Sequence, residues 1–355
     1  MIEILRDWYQ RHFSDPQAVI LALMLIIGFA LIMFLGGILT PVIAAVVIAY
    51  VLEGVVEKLR RFHIPHVLAV SLVILSFLFL LLVLMLGLSP LIYKQLSQFV
   101  VEVPNMLTSW QSLLLSLPET YPFISEAYVQ DIVKQINNEL ASFGQMIVSK
   151  SLSSVINLFT LLVYMVVVPL LVFFFLKDKQ SILCWLSRFL PEQGGLASKV
   201  WTDVDIKIGS YIRGKLLEIV VVAVVTFIPL KILGLQYAAL LSLFVGLSVV
   251  IPYVGAVAVT IPVALVAYFQ FGLGYDFMYI LLAYLVVQFL DGNVLVPLLF
   301  SEAVDMHPAA IIIAVLVFGG LWGVWGGFFA IPLAALIQAV ITAWPQAPAR
   351  EESVE

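Results

Sequence analysis

The chain of 355 residues is predicted to be an all-α polytopic membrane protein with about eight membrane segments, some of them broken or re-entrant, plus amphipathic helices outside the bilayer. Three observations predict it. Hydrophobic residues make up 63% and charged residues 11%, far from the composition of a soluble domain. Mean hydropathy is +1.14, more apolar surface than one globular core can hide from water. Apolar runs near the bilayer-spanning length of about 20 residues recur along the whole chain. A net charge of -5 gives no basis for binding nucleic acid, and the single cysteine, Cys184, excludes an internal disulfide or a thiolate metal cluster.

The elements follow in order. Leu5, Trp8, Tyr9 and Phe13 have roughly helical spacing and suggest an interfacial amphipathic helix, with a frayed tail as the alternative. No small-residue cleavage pattern follows the first run, Ala18–Leu35, so it is expected to stay as an anchor. Gly36-Gly37 and Pro41 join it to Ile38–Leu52 and predict a tight hairpin turn there. Val67–Ile92, Ser154–Leu176 and Leu216–Leu233 are each predicted to cross once. Lys58, Arg60 and Arg61, and the cluster Lys177, Lys179, Arg188, Lys199, Lys207, Arg213 and Lys215, mark cytoplasmic ends, which places the N-terminus inside as well. Glu218, one turn from that cluster, is expected at the interface.

Tyr93–Lys150 carries Lys94, Lys134 and Lys150 against five acids and belongs on the far side. Leu96, Phe99, Val103, Met106, Leu107, Trp110 and Leu114 form one helical stripe; Val129, Ile132, Val133, Ile136, Leu140, Phe143 and Ile147 form another, with a break at Leu117–Pro122. Such stripes must be covered, by a neighbouring subunit or by the same one. A cytoplasmic amphipathic stretch, Gln180–Lys215, turns at Pro191–Gly195. The chain thus divides into 1–92 with the first three membrane helices, 93–150 outside the bilayer, 151–215 with the fourth helix and its cytoplasmic connection, a transport core at 216–345, and a disordered tail at 346–355.

Helix breakers sit where lipid makes the hydrogen-bond ladder obligatory. Tyr237–Phe271 and Pro308–Trp344 are too long for one upright helix and are broken near their middles. In the first, IPYVGAVAVTIP, Pro252 and Gly255 are expected to unwind the chain between two half-helices, with Pro262 a further breaker. The freed carbonyls, with Ser248, Tyr253 and Thr260, would face a polar solute; a simple kinked helix is the alternative. Phe277–Phe300 is interrupted by Asp291-Gly292-Asn293, with Pro297 opposing re-entry. Gln288 and Asp291 share a face, and an ionisable group inside a spanning run is a functional candidate, unless it reaches the interface. In FGGLWGVWGGFFAIP, Gly319, Gly320, Gly323, Gly326 and Gly327 provide close packing or a flexible hairpin tip before Pro332. Paired interrupted segments point to a midplane site between them.

Pro252-Tyr253-Val254-Gly255 with Pro262, Asn293–Pro297, His307-Pro308 and the glycine-rich stretch closing on Ala330-Ile331-Pro332 resemble the signature of the autoinducer-2 exporter, or PerM-type, family. Tyr211-Ile212-Arg213-Gly214 looks like another family element. The resemblance implies a bacterial inner-membrane carrier with an eight-segment plan and a homo-oligomeric, pentameric assembly, linked either to export of autoinducer-2 or to sodium(lithium)/proton antiport. Enzyme readings find no support: no HExxH zinc motif, GxSxG elbow or phosphate loop occurs, so no cofactor or metal is expected. The leading reading is a secondary carrier for a small polar solute. Asp291 would be its proton- or cation-responsive acid, with Gln288, Asn293 and Tyr253 orienting the solute. Sodium(lithium)/proton antiport is the second reading. A non-transporting scaffold is the third, and it predicts that loss of 93–150 abolishes function while Asp291 is dispensable.

Overall fold

The computed structural model describes residues 16–120, 125, 127–135, 138, 154–188, 195–300 and 306–343, and these contain helices and turns but no strand. The expected interfacial helix at Leu5–Phe13, most of the second outer stripe, the turn at Pro191–Gly194 and the tail lie outside the described residues. Among the described residues, five helical stretches are long and apolar enough to span a membrane: Ile38–Arg61, His66–Glu102, Val254–Phe271, Tyr275–Phe300 and Val324–Thr342.

α1 (Pro16–Arg61) is one continuous helix of 46 residues, and this corrects the predicted hairpin at Gly36–Pro41. Pro41 costs one ladder bond, whereas a turn in lipid would strand several backbone groups, so the helix persists. The even number of crossings that placed the N-terminus inside rested on that hairpin. α2 (His66–Thr120) has 55 residues and rises about 82 Å, so the apolar run Val67–Ile92 and the first outer stripe form a single rod. α3 is Ser154–Lys177. Ala45, Ala49, Val56, Ala69, Val70 and Val172 bury the seam between these three helices. At their basic ends Lys179 pairs with Glu53 at 2.5 Å, and the His66 Nε2 lies 3.3 Å from the Lys177 carbonyl.

After a short α4 (Lys179–Ser187), α5 (Gly195–Ile232) runs from the basic stretch into the fifth apolar run without interruption. Near its start the Tyr50 hydroxyl donates to the Asp205 carboxylate, whose pKa burial raises against the pull of Arg213. Tyr237–Phe271 folds back on itself as α6 (Ala238–Ser248), a turn at 249–253, and α7 (Val254–Phe271). α6 rises about 16 Å, half a hydrocarbon core, so this is a hairpin with one short arm. Its base is closed by Gln270, which accepts from the Gln236 N–H at 2.7 Å and donates to the Gly234 carbonyl at 2.8 Å. There α2 touches it: Gln95 accepts from the Leu240 N–H at 2.9 Å, and Phe99 meets Tyr237 at 5.5 Å.

α8 (Tyr275–Leu290) passes through a π turn at Asp291–Leu295 into α9 (Val296–Phe300). The predicted exit from the helix at Gly292-Asn293 is therefore corrected: the chain widens and stays helical. The Val296 N–H reaches back to the Asp291 carbonyl, five residues away. A wider turn makes room for the Pro297 ring, which in a regular helix would press on the carbonyl four residues back. The last two helices, α10 (Pro308–Trp322) and α11 (Val324–Ala343), form a second hairpin that turns at Gly323 with φ +62°.

The hairpins lie along α5 from opposite ends. The first packs Val245 and Val249 with Val222 and Leu230. The second packs Ala339 with Val200 and Val204, and Phe318, Ala330 and Ile331 with Tyr211 and Ile212. Their tips meet: a Cβ added at Gly327 would lie 3.0 Å from Ile251.

Candidate functional site

Three residues of α5 face this meeting point. Tyr211, Lys215 and Glu218 are spaced four and three apart, so they share one side of the helix. The Tyr211 hydroxyl donates to the Phe328 carbonyl of the second hairpin at 3.0 Å. The Lys215 ammonium donates to the Val249 carbonyl of the first at 2.8 Å. Val249 ends α6, where the helix dipole favours a cation. The same ammonium pairs with Glu218 at 2.7 Å and lies 5.2 Å from the centre of the Phe300 ring. Lys215 and Glu218 are 3% and 2% exposed. Glu218, expected at the interface, is packed inside the protein, where its neighbour one turn back neutralises it and the two are buried together.

Asp291 starts the π turn, at the end of a helix that packs along α5. Its Oδ1 is buried and has no hydrogen-bond partner among the described residues. Gln288 is drawn elsewhere: its amide donates to the Tyr284 hydroxyl at 2.9 Å, which donates in turn to the Ala256 carbonyl at 3.2 Å and lies 3.1 Å from Thr260. This polar chain ties α8 to α7. Ser248 and Thr260 spend their hydroxyls on carbonyls of their own helices. Asn293 is exposed and donates to the Phe289 carbonyl at 2.9 Å. Tyr253 stands at the first tip with φ +62° and 55% exposure, beside a half-buried Pro252.

The glycines divide by what surrounds them. A Cβ at Gly255 would fall 1.7 Å from the Ser248 carbonyl oxygen, and one at Gly326 would fall 1.8 Å from that of Phe318. Each hairpin therefore closes backbone on backbone just past its turn. Gly323 donates its N–H to the Gly319 carbonyl at 2.7 Å, Gly327 seats Ile251, and Gly320 faces open space. Pro262 and Pro332 lie inside α7 and α11, so Pro262 does not act as a second breaker of its run. Tyr211→Phe removes one buried hydrogen bond to the second tip. It should lower stability by about 1 kcal/mol, read as a lower melting temperature in detergent.

Sequence reasoning did not single out Lys215 or Tyr284. For Lys215 the signal was present: Tyr211, Lys215 and Glu218 on one face at the entry to an apolar run. Tyr284 gives none, since one phenol in an apolar helix is indistinguishable from packing.

Broken hairpins meeting from opposite ends beside buried charges are the build of a membrane transporter. Residues 21–346 match the model of the AI-2E family transporters. The chain is 44% identical over 353 residues to "Putative permease PerM" of Escherichia coli (strain K12), covering 99% of this chain and 100% of PerM. It is 27% identical over 318 residues to "Putative transport protein YueF" of Bacillus subtilis (strain 168), covering 87% and 84%. It is 22% identical over 325 residues to "AI-2 transport protein TqsA" of Escherichia coli (strain K12), covering 92% and 91%. The chain belongs to the AI-2E transporter family, and it is a multi-pass membrane protein.

Proposed function

We propose that the protein is a secondary transporter of the bacterial cytoplasmic membrane that exports a small polar solute such as autoinducer-2, driven by an ion or proton gradient. The observation that carries this reading is the meeting of two hairpin tips against Tyr211 and Lys215. Hairpins that touch only at their tips can part or slide without unfolding, which is what alternating access requires. The printed name of TqsA supports the solute class. The basic ends at Arg60-Arg61 and Lys177–Lys179 support a cytoplasmic placement of that face. A homo-oligomer, a pentamer by family resemblance, completes the reading, and mass measurement in lipid nanodiscs tests it.

The test of transport is uptake of autoinducer-2 into proteoliposomes under an imposed pH gradient, with wild type and Asp291→Asn. The variant should lose its response to the gradient and transport roughly tenfold less, the effect of about 1.4 kcal/mol of lost coupling. Unchanged flux and pH dependence would remove Asp291 from the mechanism.

A further inference from the structure

We infer that α4 (Lys179–Ser187) is a membrane-surface anchor, lying on the bilayer at the basic ends of α1 and α3 with its apolar face in lipid. The sequence carries the first observation. At about 100° per residue, Ile182, Leu183, Trp185 and Leu186 fall within about 160° of the helix circumference, and Gln180, Ser181, Cys184 and Ser187 share the rest. No charge interrupts the helix between Lys179 and Arg188. A helix in water turns such a stripe toward a core. The structure leaves this one outside: no residue of α4 is buried. Leu183, Trp185 and Leu186 are 39%, 56% and 47% exposed, and Ile182 is half-buried.

Position selects lipid as the cover. α3 ends at Lys177, and one non-helical residue, Asp178 at φ -107° and ψ 19°, separates it from α4. Lys179 is pinned to Glu53 of α1 at 2.5 Å, so α4 starts at the headgroup end of two membrane helices. Lys177, Lys179 and Arg188 flank it against Asp178 and Glu53, and the neighbouring end of α1, Glu57–Arg61, adds further net positive charge. That balance suits anionic headgroups. Leucines and a tryptophan on one face, with bases at the ends, are what surface binding requires.

A second copy of the chain fits this face less well. A stable protein interface buries roughly 800 Å² per partner. The nine residues of α4 rise about 14 Å and cannot supply that area alone. Because α4 leads from α3 toward α5, its docking holds that connection at the bilayer surface, whatever solute the protein carries.

Spin labels on the full-length protein in vesicles of phosphatidylcholine and phosphatidylglycerol test this. Collisions with oxygen, which dissolves in lipid, are compared with collisions with a water-soluble nickel chelate. Cys184, the single cysteine, is exposed on the polar side and takes a label without any substitution. Leu186→Cys in a Cys184→Ser background puts the label on the apolar side, and neither position is in a packed core. The ratio of oxygen to nickel collisions at 186 should be several-fold above that at Cys184. Vesicles of phosphatidylcholine alone should lower the ratio at 186; an unchanged ratio would overturn the part given to the basic residues. Equal water access at both positions would overturn the docking itself. A label at 186 shielded from both reagents would overturn it in favour of a protein cover, from a second copy or another segment of the chain.

Discussion

Gly255→Ala should prevent closure of the first hairpin, and Gly326→Ala should do the same to the second. The added methyl would lie 1.7 Å from the Ser248 oxygen in one case and 1.8 Å from the Phe318 oxygen in the other. Neither obstacle is the end of a flexible side chain. Both are backbone atoms at the close of a helix, so relief requires the turn to open. Overpacking of this kind costs on the order of 3 kcal/mol or more where the neighbour cannot move aside. Gly320→Ala is the control. It sits in α10 with nothing within 4 Å of the new Cβ, and alanine there should be neutral or stabilising by about 0.5 kcal/mol. Melting in detergent should therefore fall by many degrees for the first two variants and hold for the third. Equal melting for Gly255→Ala and Gly320→Ala would refute the backbone closure.

Lys215→Met should have the second large effect. It deprives Glu218 of its counter-ion and leaves the Val249 carbonyl without its donor. Removing one partner of a buried pair costs roughly 3 kcal/mol or more, whereas replacing both with apolar side chains of similar volume is often close to neutral. Lys215→Met with Glu218→Leu should thus recover most of the stability that Lys215→Met loses, and a double-mutant cycle on melting reads the coupling. The double variant should still fail to transport, since the site is gone. If the two losses simply add, the pair is not the unit described here.

Both hairpin tips were legible in the sequence because their chemistry is local. Pro252 with Gly255, and Gly323 with Gly326, stand inside runs too long for one crossing, and no other residue type tolerates a carbonyl at the distance found for Gly255 or Gly326. The run through Gly36-Gly37 and Pro41 carries similar residues yet stays helical. Composition marks where a helix can break; whether it does depends on packing against distant elements. The same limit applies to the site. The burial of Glu218 was not legible because the carbonyl that fixes its lysine belongs to Val249, 34 residues beyond Lys215 and on another helix. The π turn was hidden for a related reason. Asp291-Gly292-Asn293 and Pro297 announce a disturbance, but how the ladder absorbs it depends on which carbonyl the next N–H can reach.

The glycine closures carry a mechanical consequence. Because each tip is locked carbonyl to Cα, neither loop can peel open like a flap. What joins the two tips to each other is softer: the Ile251 side chain seated on Gly327. The molecule therefore has a built-in shear plane, along which two stiff wedges can slip while every helix stays whole.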